Sequence, residues 1–535
     1  MNNSPRTVLF VILPYLAEYN EAKGNNTRSM LAFPYGVLSI ASYLKAHLSD
    51  NHRIRVLDLN LCPSDKMLQV LRSELEALQP LIVGISMMFD TSYKYLHVVS
   101  KGIKDYSKKT TVVLGGAAAT VSWDSVLQEQ QYVDALCFTE GEYTMYKLVT
   151  ADDISLSLDQ DPAWVTRKKL SQNMKPVGCY VDNLNEVISV DYEFIDVKSY
   201  SMKEAFSPFS SIRKHKDIRQ FFLVTSRGCP FKCVFCAEPS FHGKSMRYAD
   251  VDALIDHVRF LKTKYGMNVL SIYDDQLLLN KPRAKEFFRR LADFKIRLET
   301  PNGLSVAFID DEMAELMRGA GMDTVPLAIE SGSERMLREV IRKPLRLAQV
   351  KPAVDALHSN GIFVQGYFVV GIPGEQEEDR DQTVRFIKDI GLDWSGFNLA
   401  TPLRGSELYR ICKENGYIDP DYRIGDLGMH DYVIKVPGID PAMIKKRRYL
   451  MNLDVNFVNN YKMRMGDYQV AALCFEDVIA RYENHAFAYY YLAKAYEGMK
   501  ASPDRIERNR ERYNRIIAAD AAWQEYAKIF NMETT

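Results

Sequence analysis

Short apolar runs separated by amphipathic stretches set the plan of the chain. Residues 1–150 contain five such runs: Thr7–Leu13, Ile54–Leu57, Leu81–Ser86, Thr111–Gly115 and Ala135–Phe138. Each is brief and nearly all apolar, as strands covered on both faces are. Between them, Tyr35–Leu44 and Tyr93–Ile103 carry apolar residues at helical spacing. This alternation predicts a doubly wound, Rossmann-like parallel sheet with any ligand beyond the strand C-termini. Residues 151–215 are polar and aperiodic, including the basic Arg167–Lys175 and the mixed-charge Lys203–Lys216, and read as a connector.

Alternation resumes over residues 216–440. Expected strands are Phe221–Thr225, Asn268–Tyr273, Ile296–Thr300, Thr324–Ile329, Ile362–Val370 and Gly396–Ala400. Helices are expected at Val251–Tyr265, Pro282–Phe294, Asp311–Gly319, Leu347–Asn360 and Glu377–Ile390. Six such units predict a partial (β/α)6 barrel, open on one side, with its chemistry at the strand C-termini. Residues 441–535 lose the strand signal. Ala471, Phe475 and Val478, then Leu492, Ala493 and Tyr496, have the offsets of a tetratricopeptide-like helical tail, and Pro503 interrupts the second repeat. A plain helical bundle and a peptide-binding surface both fit that tail. The fold class is therefore α/β with an α-helical C-terminal domain.

Composition narrows the function. The 535 residues are 47% hydrophobic and 26% charged, with a net charge of −1, ordinary for a soluble globular chain. So balanced a charge gives no field to attract nucleic acid or an anionic membrane. Met1–Arg6 is polar and lacks a signal-peptide core, and no apolar run reaches the roughly 18 residues of a membrane helix. A cytoplasmic location is expected, where thiols stay reduced.

The chemistry concentrates in Thr225–Ala237. Cys229, Cys233 and Cys236 fall within eight residues, on a loop that Gly228 and Pro230 open at a strand end. Thiolates suit iron–sulfur clusters or zinc. Three local cysteines leave one iron of a four-iron cubane without a protein ligand, open to a substrate group. Zinc with His242 as a fourth ligand is the alternative, but structural zinc sites usually pair their ligands and no second cysteine pair follows. The other cysteines, Cys62, Cys137, Cys179, Cys412 and Cys474, are scattered singly, against a disulfide framework.

The C-x3-C-x2-C spacing, with Phe235 just before the last cysteine, resembles the signature of the radical S-adenosylmethionine (SAM) superfamily. The resemblance implies a [4Fe-4S] cluster on Cys229, Cys233 and Cys236, and SAM chelated to the open iron. An electron from an external donor then cleaves SAM to a 5'-deoxyadenosyl radical. Further motifs follow at the barrel strand ends. Phe235 is counted with the SAM-binding residues. Asp274-Asp275 matches the superfamily's acidic position for the amino group of SAM, the alternative being a turn with capping acids. Ala328–Glu334 resembles the ribose-binding segment, giving Glu330 that role with Ser331 beside it, while Ser333 caps the next helix. Gly366–Glu375 resembles the segment along the adenine, at Gly371 and Ile372. Asn398 ends the sixth strand. Pro301-Asn-Gly303 reads as a turn.

The first domain resembles the cobalamin-binding domain found ahead of many radical SAM cores, with Ser86, Gly115, Gly116, Glu140 and Gly141 as candidate contacts. A sheet that binds no ligand is the alternative. The loop from Pro14 to Pro34 contains neither Asp nor His, so the D-x-H-x-x-G motif of a histidine-ligating cobalamin domain is absent. Together these resemblances imply cobalamin-dependent methylation of an unactivated carbon in a small molecule or peptide. A cyclase, oxidase or rearrangement enzyme of the same architecture is the alternative, and a non-catalytic helical-repeat scaffold a more distant one.

Overall fold

The computed structural model describes residues 6–15, 32–200, 217–425 and 432–532. Most of the Pro14–Pro34 loop and all of Lys203–Lys216 lie outside those residues.

In the first domain, β1 (Arg6–Ile12), β2 (His52–Asp58), β3 (Ile82–Ser86), β4 (Thr111–Gly115) and β5 (Ala135–Cys137) form a parallel sheet in the order β2-β1-β3-β4-β5. A short strand from the expected connector, β6 (Trp164–Thr166), adds antiparallel to β5. Strand order reverses between β1 and β3, so the crevice for a ligand opens beyond Ile12 and Ser86. Val8, Leu9, Phe10 and Val11 are all buried, as a strand sandwiched between helix layers requires.

The barrel strands β7 (Gln220–Leu223), β10 (Val269–Ile272), β11 (Arg297–Glu299), β12 (Thr324–Glu330), β13 (Phe363–Val370) and β14 (Trp394–Leu399) run parallel in chain order. They form two three-stranded sheets. Leu304 joins the two, donating its N–H to Pro326 at 2.8 Å and accepting from Ala328 N at 3.1 Å. A small antiparallel pair, β8 (Ser226–Arg227) and β9 (Arg247–Tyr248), brackets the cysteine loop.

Both barrel edges are blocked by side chains. Tyr192, from the connector, donates its hydroxyl to the carbonyl of Phe222 on β7. At the other edge, Asn456 accepts from Ser395 N and donates to Ser395 O, both at 2.8 Å, mimicking a neighbouring strand. Asn456 sits in a π-helical turn, Asp454–Val458, that follows the helix Pro441–Leu453. The helices Tyr468–Arg481, Ala486–Gly498, Pro503–Ala519 and Ala521–Ile529 complete the tail around Phe475, Phe487 and Tyr513. Pro503 opens a helix rather than breaking one, since the first turn needs no N–H from it.

One apolar core spans the domain boundary. Phe33 packs on Tyr192, Tyr200, Phe221 and Phe222, with ring centroids 4.9–5.5 Å apart. The first domain, connector and barrel therefore fold against one another. Among the described residues, no helix is long and apolar enough to cross a membrane.

Candidate active site

The cysteine loop is held from below by Asp274. Its buried carboxylate accepts Thr225 N and Ser226 Oγ, each at 2.6 Å, and the Thr225 hydroxyl. Arg283 adds a hydrogen bond to the Thr225 carbonyl at 2.8 Å. The Asp274 carboxylate, expected to take the amino group of SAM, thus shapes the cysteine loop. Gly228 then turns with φ +94°, where a Cβ would stand 2.3 Å from the carbonyl oxygen of Ser245. Cys229 N donates to Gly243 O, and Val234 N to Ile341 O at 2.9 Å.

Cys236 lies near enough to feel both Cys233 and Cys229, although among the described residues no three His, Cys, Asp or Glu side chains are arranged to hold a metal ion. Cys229 is buried, Cys233 and Cys236 are half-buried, and each of the latter feels the charge of its neighbours. Burial pushes Cys233 up to about 11, against the pull of Lys343, and Cys236 up to about 12. Such thiols stay neutral until a metal displaces their protons. All eight cysteines are free. The donor set, three cysteines on one partly buried loop, has the chemistry of an iron–sulfur cluster. His242 Nδ1 lies 2.8 Å from Glu140 and its Nε2 3.7 Å from Glu238.

Around the loop lie the remaining barrel positions. Asp275 is half-buried beside Glu238, and desolvation together with that second carboxylate pushes its own carboxyl upward. Glu330 ends β12 in the left-handed region, φ +72°, after a register shift at Ala328. Lys343 Nζ pairs with it at 3.2 Å and lies against Cys233 and Cys236. Backbone strain of this kind gathers at functional sites. The Ser331 hydroxyl accepts Ser333 N and contacts Thr383, so it braces the loop, and Ser333 Oγ accepts Met336 N.

Gly371 has φ +90°, but its neighbour is protein. A Cβ there would lie 2.6 Å from the ring of Tyr432. Glycine at this position is demanded by Tyr432, whatever lies on its other side. Ile372 is buried in the core. Asn398 is exposed, on the same strand face as Gly396, whose Cα side abuts Tyr367. Phe235 packs half-buried against the core.

In the first domain, Ser86, Gly115 and Gly116 gather at the ends of β3 and β4. Gly116 has φ +106°, and a Cβ would press within 2.5 Å of the Met87 carbonyl oxygen. Gly115 is open: its nearest neighbour would be 3.9 Å away. Met88 and Phe89 follow β3 with about half their surface exposed (53% and 49%), and Phe89 packs on Tyr15 across the crevice. Small and exposed apolar groups at a topological switch point suit a large flat ligand such as a corrin.

Glu140 and Glu142 follow β5 and are both engaged by arginines. Glu140 accepts Val181 N, both terminal nitrogens of Arg247 and Nδ1 of His242, and pairs with Arg227 at 3.1 Å. Glu142 accepts Arg227 Nη2 and Ser39 Oγ, both at 2.7 Å. Burial would raise these carboxyls, but the arginines and His242 outweigh it and hold Glu140 far below the usual range. Glu140 is an interdomain ion-pair centre, and its carboxylate is not turned to the crevice. Gly141 packs against Ile40. Sequence reasoning missed Arg227, Arg247 and Lys343. Only Arg227 stood in a stretch that drew attention, and its partners lie 85 residues or more away.

Comparison with known proteins agrees with this geometry. The radical SAM superfamily profile matches residues 223–387, and the B12 binding domain profile matches residues 25–149. The chain is 27% identical over 470 residues to a cytidylyl-2-hydroxyethylphosphonate methyltransferase of Streptomyces wedmorensis, covering 79% of this chain and 86% of that protein. It is 24% identical to an anaerobic magnesium-protoporphyrin IX monomethyl ester cyclase of Rubrivivax gelatinosus, covering 83% and 77%. Its fold matches the radical SAM methyltransferase TsrM of Kitasatospora setae, solved with tryptophan substrate and a SAM analogue. The TM-score is 0.62 at 16% identity, over 83% of each chain.

Proposed function

Since the chain belongs to the radical SAM superfamily and carries a B12-binding domain ahead of its barrel, we propose that it transfers a methyl group to an unactivated carbon. When bound, the cluster supplies the electron that splits SAM, and cobalamin supplies the methyl group. Cys229, Cys233 and Cys236 hold the cluster. Asp275 and Glu238 take the amino group of SAM, whose positive charge relieves the repulsion between two neighbouring, half-buried carboxylates. Glu330 takes the ribose hydroxyls, with Lys343 fixing its carboxylate. Met88, Phe89 and Tyr15 form the apolar side of the corrin crevice. An external electron donor completes the system.

The observation that carries this reading is the reach of Arg227. It lies two residues before Cys229, yet its guanidinium is bonded to Glu142 at the end of the B12-binding sheet. The cluster loop and the edge of the sheet are thereby held together, which supports a site where both cofactors would serve one substrate. Cyclisation is the second reading, because the Rubrivivax relative named as a cyclase aligns with 83% of this chain. Reduced, reconstituted enzyme with SAM, cobalamin and candidate substrates separates the two. Methyl transfer yields S-adenosylhomocysteine together with 5'-deoxyadenosine. Cyclisation or oxidation yields 5'-deoxyadenosine alone.

A further inference from the structure

The ion pairs between the two domains are buried far more deeply than their cost favours. The side chains of Arg227, Glu140 and Glu142 are 8%, 3% and 4% exposed, and Arg247 is 12% exposed. Buried pairs of this kind often stabilise no better than apolar packing. What they specify is position. β8 and β9 place Arg227 opposite Arg247, and both arginines grip the single carboxylate of Glu140. Arg247 also donates to the carbonyls of His242 and Val181, tying the far side of the cysteine loop and the connector to that carboxylate.

The same short segment leaves the C-terminal edge of the sheet that carries the corrin crevice. Glu140, Gly141 and Glu142 directly follow β5, beside the β4 end at Gly115. Gly141 has no side chain to take up strain, and a Cβ would collide with Ile40 at 2.6 Å. A ligand that shifts this segment must move Glu140 and Glu142, and with them Arg227, two residues from Cys229. The packed, charge-paired contact has no slack to absorb the shift.

We propose that Arg227, with Glu140 and Glu142, is a positioning latch that couples occupancy of the corrin crevice to SAM binding at the cluster. This rests on the methyl-transfer reading of the site. Coupling must run both ways, because it is a difference of binding free energies. In the wild-type chain, loading with hydroxocobalamin therefore tightens SAM, and SAM tightens hydroxocobalamin by the same factor, roughly fivefold or more. In Arg227→Met and in Glu142→Gln that factor falls to about one while the cluster remains; Arg227→Lys keeps part of it.

The test uses full-length, anaerobically reconstituted protein. The SAM dissociation constant is measured by equilibrium dialysis with and without bound hydroxocobalamin, alongside iron content and the electron paramagnetic resonance spectrum of the reduced cluster. A factor that is lost in Glu142→Gln with iron retained supports the latch. A factor of one in the wild type, or an unchanged factor in Glu142→Gln, overturns it. If Arg227→Met loses iron, Glu142→Gln carries the test, because Arg227 keeps Glu140 there. Failure of the wild type to bind SAM or hydroxocobalamin at all would instead sink the methyl-transfer reading. Binding of both, independently, sinks only the latch.

Discussion

The hydroxyl of Tyr432 donates to the carbonyl of Gly371 at 2.6 Å, and its ring stands where a Cβ on that glycine would go. The glycine motif at the end of β13 is thus closed by a residue from beyond the last barrel strand. Gly371→Ala meets both a left-handed backbone and an occupied space. It should cost roughly 2–4 kcal/mol, read as a lower urea midpoint. Tyr432→Phe should cost only about 1 kcal/mol, because the ring stays.

Asp274 and Asp275 are adjacent but should fail differently. Asp274→Ala leaves Thr225 N and two hydroxyls without their acceptor under the cysteine loop. A loss of about 3 kcal/mol or more is expected, and reconstituted iron content should fall. Asp275→Asn should keep its iron and weaken SAM binding. Equal iron loss in both variants would contradict the division of roles.

Acid should act on the helical tail through His485. Its Nδ1 accepts Ala488 N at the start of a helix, and its ring is packed on Phe457 and Trp523. Burial holds its pKa down to about 4, from 6.5 when unfolded. The unfolded chain then binds the extra proton first, so stability falls as pH drops from about 6.5 to about 4 and levels off below. The difference amounts to about 3 kcal/mol. His485→Asn keeps the cap and removes the proton, so its pH profile for tail unfolding should be flatter over that window.

Asn456 stands in for a strand beside β14. Asn456→Ala removes two buried hydrogen bonds from Ser395 and bares a barrel edge. A loss of about 2–3 kcal/mol is expected, with a rise in self-association by size-exclusion chromatography. No change in either would mean that the tail covers this edge by apolar contacts alone.

Much of this architecture was legible because it is periodic. The parallel strands of both α/β units announce themselves as short apolar runs, and the cysteine spacing as a ligand set. What escaped notice is local or long-range. β6 is only three residues long inside a polar stretch, so Trp164–Thr166 shows no alternation. The π-helical turns that carry Asn456 and precede Lys343 have no sequence signal of their own. Glu140 ends a strand as a ligand-binding acid would, but its role is fixed by Arg227 and Arg247, 87 and 107 residues later. Asp274 likewise looks like a free acid until Thr225 and Ser226 fold onto it. A residue's type marks it as chemically able, whereas the tertiary partner decides what it does.

In the proposed enzyme, three thiols hold an open cluster opposite a corrin-binding sheet. Metal, sulfide and corrin analysis of the anaerobically purified chain, beside its Cys229→Ala, Cys233→Ala, Cys236→Ala triple variant, tests it most directly. The wild type should carry iron and sulfide in the proportion of a four-iron cluster together with corrin, and the triple variant should lose iron and sulfide but keep corrin. Zinc in place of iron, or a triple variant that retains the cluster, would contradict it.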